Sequence, residues 1–151
     1  MTTTDTRAAN HRLGSEEELR AVIGSPSTLV LEKELDRLDA HCAAFIALSP
    51  MVIVATSDAD GRCDASPRGD PPGFVKVLGS TTVLIPDRKG NRRIDTMVNL
   101  TANPRIGLLF LIPGVNETLR ANGTAAITED LELLDTCAVN GKSPKLGIIV
   151  T

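Results

Sequence analysis

The fold is decided by the stretch "MVIVATSDADGRCDASP", residues 51–67. Its first seven residues form an unbroken apolar and β-branched run, which predicts a strand buried on both faces. "DADG" is turn chemistry, because Asp side chains bond their own backbone two residues on and Gly takes a left-handed conformation. "RCDAS" then resumes the chain, so residues 51–67 read as a hairpin. Turn formation also accounts for Asp58 and Asp60, which are not a paired-carboxylate site.

The same alternation of strand and turn continues outward. "FVKVLGSTTVLIP" (74–86) gives two strands around Gly79-Ser80, and "IGLLFLIP" (106–113) gives another. "TLRANGTAAIT" (118–128) reads as a strand or hairpin, and "LGIIVT" (146–151) as a last strand. Helices are fewer. "SEEELRAVIG" carries a capping box, Ser15 with Glu18, and a closing Gly24. The stripe Leu31, Leu35, Leu38, Cys42, Phe45 predicts one helix ending before Pro50. "NRRIDTMVNLTANP" (91–104) predicts a helix with Ile94, Met97, Val98 and Thr101 on one face, and "EDLELLDTCAV" (129–139) a short one. Six or seven short strands with few helices between them indicate a mainly β chain with flanking helices (α+β) and an antiparallel barrel. No GxGxxG follows a strand, so a doubly wound dinucleotide fold is not supported.

Composition narrows the function. The 151 residues contain three Phe and no Tyr or Trp, so the core is expected to be built from Leu, Ile, Val and Ala, and an aromatic platform for stacking bases is disfavoured. The net charge of −3 argues against a polyanionic partner. No stretch has signal-peptide or membrane-spanning character, and the expectation is a cytoplasmic protein. Residues 1–14 are polar and unpatterned and read as a mobile arm. Cys42, Cys63 and Cys137 are scattered and odd in number, which favours free buried thiols over disulfides. With only His11 and His41, a His-rich metal site is disfavoured.

Two segments carry chemistry. "PDRKGNRRID" (86–95) places Arg88, Lys89, Arg92 and Arg93 within six positions at a turn that opens a helix. Free N–H groups at a helix start and arginine forks both suit a phosphate, although most charge runs are solvated faces. In "SPRGD" (66–70), Gly69 permits close approach of a flat ligand, and Arg68 adds an anion contact. Asp70 would anchor Arg68 or a neighbouring cation; a strand end with a surface ion pair is the plainer alternative.

Three blocks, "SPMVIVATSDADGRCDASPRGDPPGFVKVL", "LIPDRKGNRRIDTMVNLTANPRIGLLFLIPG" and "ETLRANGTAAI", resemble in order and spacing the pyridoxamine 5′-phosphate oxidase-like family of FMN-binding split barrels. More narrowly, they resemble a bacterial subgroup of largely unassigned activity, over the chain from about Leu35 to its end. The resemblance implies a six-stranded antiparallel split barrel over residues 28–151, after an arm and short helix over 1–27. It further implies a homodimer with FMN in a groove at the interface. Backbone groups of Ser66, Pro67, Arg68 and Gly69 would meet the polar edge of the ring. Pro86 and Asp87 would lie near the flavin and its ribityl chain, and Asn91, Arg92 and Arg93 would hold the phosphate.

Two departures qualify what is implied. The subgroup usually continues past "LGIIVT", with a tail that completes the last strand and adds a helix near the interface. After residue 120 the only cations are Lys142 and Lys145, which argues against oxidation of pyridoxamine phosphate itself. The implied function is flavin-mediated hydride or electron transfer with a small molecule, Arg68 stabilising the reduced ring and no dedicated general base. The alternatives are a flavin-binding or sensor module without turnover and a deazaflavin-dependent reductase. Haem ranks below these, because His41 would be its one axial ligand within the fold.

Overall fold

A computed structural model of the chain describes residues 12–151. The chain divides into two compact units, Met1–Leu35 and Asp36–Thr151. The arm assigned to residues 1–14 lies outside the described residues as far as position 11. In the first unit, α1 (Glu16–Ile23) begins with the capping box. Ser15 Oγ accepts from the Glu18 N–H at 3.2 Å, and Glu18 Oε2 accepts from the Ser15 N–H at 3.2 Å. Gly24 ends the helix with φ of 87°. A single turn, α2 (Thr28–Leu31), follows.

The second unit begins with a break in the expected helix. Leu31, Leu35, Leu38, Cys42 and Phe45 do not share one helix: residues 32–39 leave helical geometry, and α3 (Ala40–Leu48) starts anew. Two local bonds win over the periodicity. Asp39 caps α3 by accepting from the Cys42 N–H at 2.8 Å, and the Leu38 N–H donates to the Ser80 carbonyl at 2.6 Å. The cap bond from the Cys42 backbone holds the Asp39 carboxyl below its ordinary value, while burial pushes the Cys42 thiol up.

The sheet has seven strands, one more than the resemblance implies, and it does not close. In chain order they are β1 (Met51–Ser57), β2 (Cys63–Gly69), β3 (Lys76–Gly79), β4 (Thr82–Pro86), β5 (Arg105–Leu111), β6 (Leu119–Thr128) and β7 (Gly147–Val150). Their spatial order is β2-β1-β5-β6-β7-β4-β3, all antiparallel. "LGIIVT" supplies the seventh strand by entering between β4 and β6, and β2 and β3 remain as edges. The "TLRANGTAAIT" segment is one strand, not a hairpin, and it joins the two halves. Residues Leu119 to Thr124 pair with β5, and Ala125 to Thr128 pair with β7. At that junction Gly123 is required, because a Cβ there would overlap the Thr151 carbonyl oxygen.

β1 is not buried on both faces as its composition predicts. Val52, Val54 and Thr56 are buried, whereas Met51 and Ala55 are exposed, the one-faced burial usual for an antiparallel strand. The core is aliphatic apart from Phe74 and Phe110, and it gathers residues from β1, β4, β5, β6 and β7. Ile46 of α3 and Leu100 of α4 (Asp95–Ala102) close it. α4 faces inward with Thr96, Met97 and Leu100, while Ile94 and Val98 are exposed, so the expected face is rotated. A short helix, α5 (Leu131–Asp135), precedes β7. Cys137 is buried, Cys42 half-buried and Cys63 exposed, so only one thiol matches the expected burial. No helix among the described residues is long and apolar enough to cross a membrane.

Candidate functional site

As the sheet's edge, β2 hydrogen-bonds to β1 alone. Pro67 is at home there, since an edge strand does not need every N–H. Strand alternation turns Asp64, Ser66 and Arg68 to the less exposed face. They look into a cleft of about 1010 Å³ whose other walls are the loop after β4, the first turn of α4 and residues Lys142 to Lys145. On one wall the Asp64 carboxylate accepts from Ser66 Oγ at 2.9 Å and from Thr96 Oγ1 at 3.3 Å, tying β2 to α4.

Seven of the nine residues expected at the site line this cleft: Ser66, Pro67, Arg68 and Asp87, and the group Asn91, Arg92 and Arg93. The structure does not bring the other two to it. Pro86 is fully buried opposite Gly147, and Gly69 pairs with Met51 at the end of β2. A Cβ on Gly69 would meet only the Pro50 carbonyl at an ordinary 3.6 Å.

The loop between β4 and α4 has an unusual backbone. Arg92 and Ile94 have φ of 61° and 53°, a left-handed conformation that costs energy in side-chain-bearing residues. Asn91 Oδ1 accepts from the Arg93 N–H at 3.0 Å and shapes this turn. The helix therefore starts later than the sequence predicts, and Ile94 makes no side-chain cap bond. The first N–H groups of α4 are left without a side-chain acceptor from their cap.

Charge in the cleft is unevenly compensated. Arg68 Nη1 lies 3.2 Å from Asp87 Oδ1, Arg88 Nε lies 2.6 Å from Asp70 Oδ2, and Arg93 Nη2 lies 2.9 Å from Asp95 Oδ2. Arg88 also donates to the Cys137 carbonyl at 2.8 Å, which makes it a clamp between three segments. Asp70 thus anchors the neighbouring cation, not Arg68. Among the described residues, Lys89, Arg92, Lys142 and Lys145 line the cleft with no carboxylate in salt-bridge range. The Nε of Arg68 is buried with no hydrogen-bond partner among the described residues. A donor buried without an acceptor is costly and points to a missing one.

Sequence reasoning missed Asp64, Thr96, Lys142 and Lys145. The lysines carry no local signal, because their approach to the cleft depends on the pairing of β7 with β4.

The model of the family described as pyridoxamine 5′-phosphate oxidase matches residues 38–147. The chain belongs to that family. No curated protein matches it. Among solved structures, HupZ of Group A Streptococcus is similar with a TM-score of 0.59 and 19% identity, over 74% of this chain and 86% of that one. A putative pyridoxamine 5′-phosphate oxidase from Lactobacillus delbrueckii gives 0.59 and 17%, over 78% and 90%. A protein described as an F420 reductase gives 0.52 and 17%, over 71% and 89%. These likenesses establish the shared split-barrel fold.

Proposed function

We propose that the cleft binds FMN and that the protein is a flavin-dependent oxidoreductase acting on a small molecule. The observation that carries this reading is the cationic turn at Lys89 to Arg93 beside the open first turn of α4, in a cleft walled by the edge of β2. A flavin phosphate carries about −1.5 to −2 charges at neutral pH, and Lys89, Arg92 and the α4 N–H groups suit it. Along β2, the edge backbone and the unpartnered Arg68 Nε–H suit the hydrogen-bonding rim of a flat heteroaromatic ring. When bound, the cofactor would supply the hydride or electron transfer. Arg68, fixed by Asp87, would place positive charge beside the ring, and Asp64 with Ser66 and Thr96 would set the polarity of the cleft wall.

A second copy of the chain belongs to the same reading. The outward face of β2-β1-β5 aligns Ala65 and Pro67 with Ala55 and Ile53, and these with Gly107 and Leu109; Met51 and Leu111 continue the row. Such a contiguous apolar patch marks an association surface, and we assign it to a homodimer. The three free cysteines suit the reducing cytoplasm, where we place the protein.

The test is to load purified protein with FMN, remove the excess and record the absorption spectrum. Retained flavin bands are expected, together with a dimer mass by light scattering. A colourless protein would overturn the FMN reading, and a deazaflavin chromophore on the protein as expressed would replace it with the reductase alternative. Bound flavin that nicotinamide donors do not reduce would identify a binding or sensor module.

A further inference from the structure

The cleft has more unpaired positive charge than one phosphate needs, and the charge sits on two separate segments. Lys89 and Arg92 belong to the turn before α4, whereas Lys142 and Lys145 belong to the connection between α5 and β7. That connection is well anchored. Val139 and Lys142 exchange both backbone hydrogen bonds at 3.0 Å around Asn140 and Gly141, whose φ values of 52° and 72° make a primed two-residue turn. Ser143 Oγ donates to Asp135, Pro144 is buried, the Leu146 carbonyl accepts from the Asp87 N–H at 2.9 Å, and Arg88 grips the Cys137 carbonyl. Two exposed lysine side chains thus rise from a braced segment.

Resting on the flavin reading for the occupant of the first segment, we propose that Lys142 and Lys145 form a second anion subsite. It receives the phosphate or carboxylate of the molecule that exchanges electrons with the flavin. Lysines act as point charges, without the bidentate fork of arginine, so the subsite selects negative charge over a particular shape. The reactant is accordingly a small anion, and its charged group binds at the α5–β7 connection and not at the cationic turn that precedes α4.

The experiment is a titration of ¹⁵N-labelled protein with inorganic phosphate, with acetate and chloride at matched ionic strength as comparisons. In FMN-loaded protein the amides of Lys142 to Lys145 are expected to shift saturably while those of Asn91 to Arg93 stay still. The double substitution K142A/K145A should weaken that phosphate response by about tenfold or more and leave FMN affinity within about threefold. Stronger response to acetate than to phosphate would assign a carboxylate, and the reverse a phosphate ester. No saturable shift, a shift equal to chloride's, a shift that survives the double substitution, or a tenfold loss of FMN affinity would overturn the subsite. Should the protein bind no FMN, the flavin reading fails on its own. The subsite is then judged on flavin-free protein, where the two segments should titrate independently, one response lost in R92G and the other in K142A/K145A.

Discussion

Asp87 holds the Arg68 guanidinium by one corner, Oδ1 to Nη1 at 3.2 Å, and leaves the buried Nε without an acceptor. The arrangement fixes the charge and spares a donor. Arg68→Lys keeps the charge and removes that Nε–H together with the planar fork. A hydrogen bond involving a charged group is worth about 1.5–3 kcal/mol, so the substitution should weaken FMN binding by at least about tenfold. Flavin fluorescence quenching measures it, and an unchanged affinity would remove Arg68 from the ring's surroundings.

Arg92 and Arg93 are adjacent yet not equivalent. Arg93 is paired with Asp95 and Arg92 has no such partner among the described residues, so Arg92 should dominate binding of the phosphate. Arg92 also sits at φ of 61°, where alanine would strain the turn. Arg92→Gly isolates the guanidinium from the backbone, and it is expected to raise the FMN dissociation constant by about 10- to 100-fold. Arg93→Ala should raise it by less. Equal effects in a fluorescence titration would contradict this division of roles.

Arg88 looks in the sequence like one more phosphate ligand, but its two bonds make it a strut. Losing the contacts to Asp70 and to the Cys137 carbonyl should cost about 2 kcal/mol of stability in Arg88→Ala. Urea unfolding checks it. A midpoint equal to that of the native protein would mean that the clamp is not needed to hold the α5–β7 connection.

The hairpin over 51–67, the capping box at Ser15 and the cationic turn at 86–95 were legible because each is a local event, written in neighbouring residues. What was not legible depends on long-range pairing. The stripe from Leu31 to Phe45 has helical spacing, but the Asp39 cap and the Leu38–Ser80 bond divide it. Helix α4 starts after the arginines because Arg92 and Ile94 take left-handed conformations. The lysines at 142 and 145 reach the cleft through the register that sets Gly147 against Pro86, which nothing in their own segment announces.

The turn at Asp58 makes stability sensitive to acid. Its Oδ1 accepts from the N–H groups of Arg62 and Asp60, each at 2.9 Å, and the Arg62 guanidinium lies 3.2 Å from Oδ2. The Arg62 backbone bond is the main reason its carboxyl lies below the ordinary aspartate value. A depressed folded-state pKa adds stability that is fully present above the ordinary value and is lost as pH falls through the folded one. Unfolding free energy should therefore decline as pH falls through and below the ordinary aspartate range. Asp58→Asn, which keeps the turn acceptor but cannot titrate, should make that decline shallower in denaturant titrations across the range. An identical slope would exclude Asp58 as a contributor.

Gly147 opens β7 where the strand meets β4 and α5. A Cβ there would stand 2.8 Å from Leu84 Cδ1, 3.0 Å from Leu134 Cδ2 and 3.4 Å from the Ile85 carbonyl. Leu84 and Leu134 are themselves fully buried, so neither side chain can swing into solvent, and the strand or α5 must shift instead. Overpacking of this kind costs about 1–3 kcal/mol. Gly147→Ala should lower the melting temperature by roughly 4–8 °C for a loss of about 2 kcal/mol in a chain of this size. Because Gly147 also sets the position of Lys145 two residues earlier, the variant should lose phosphate response at Lys142 to Lys145 before it loses FMN. Calorimetry and the amide titration together test this. A normal melting temperature would show that the β4–β7–α5 junction has more room than its packing indicates.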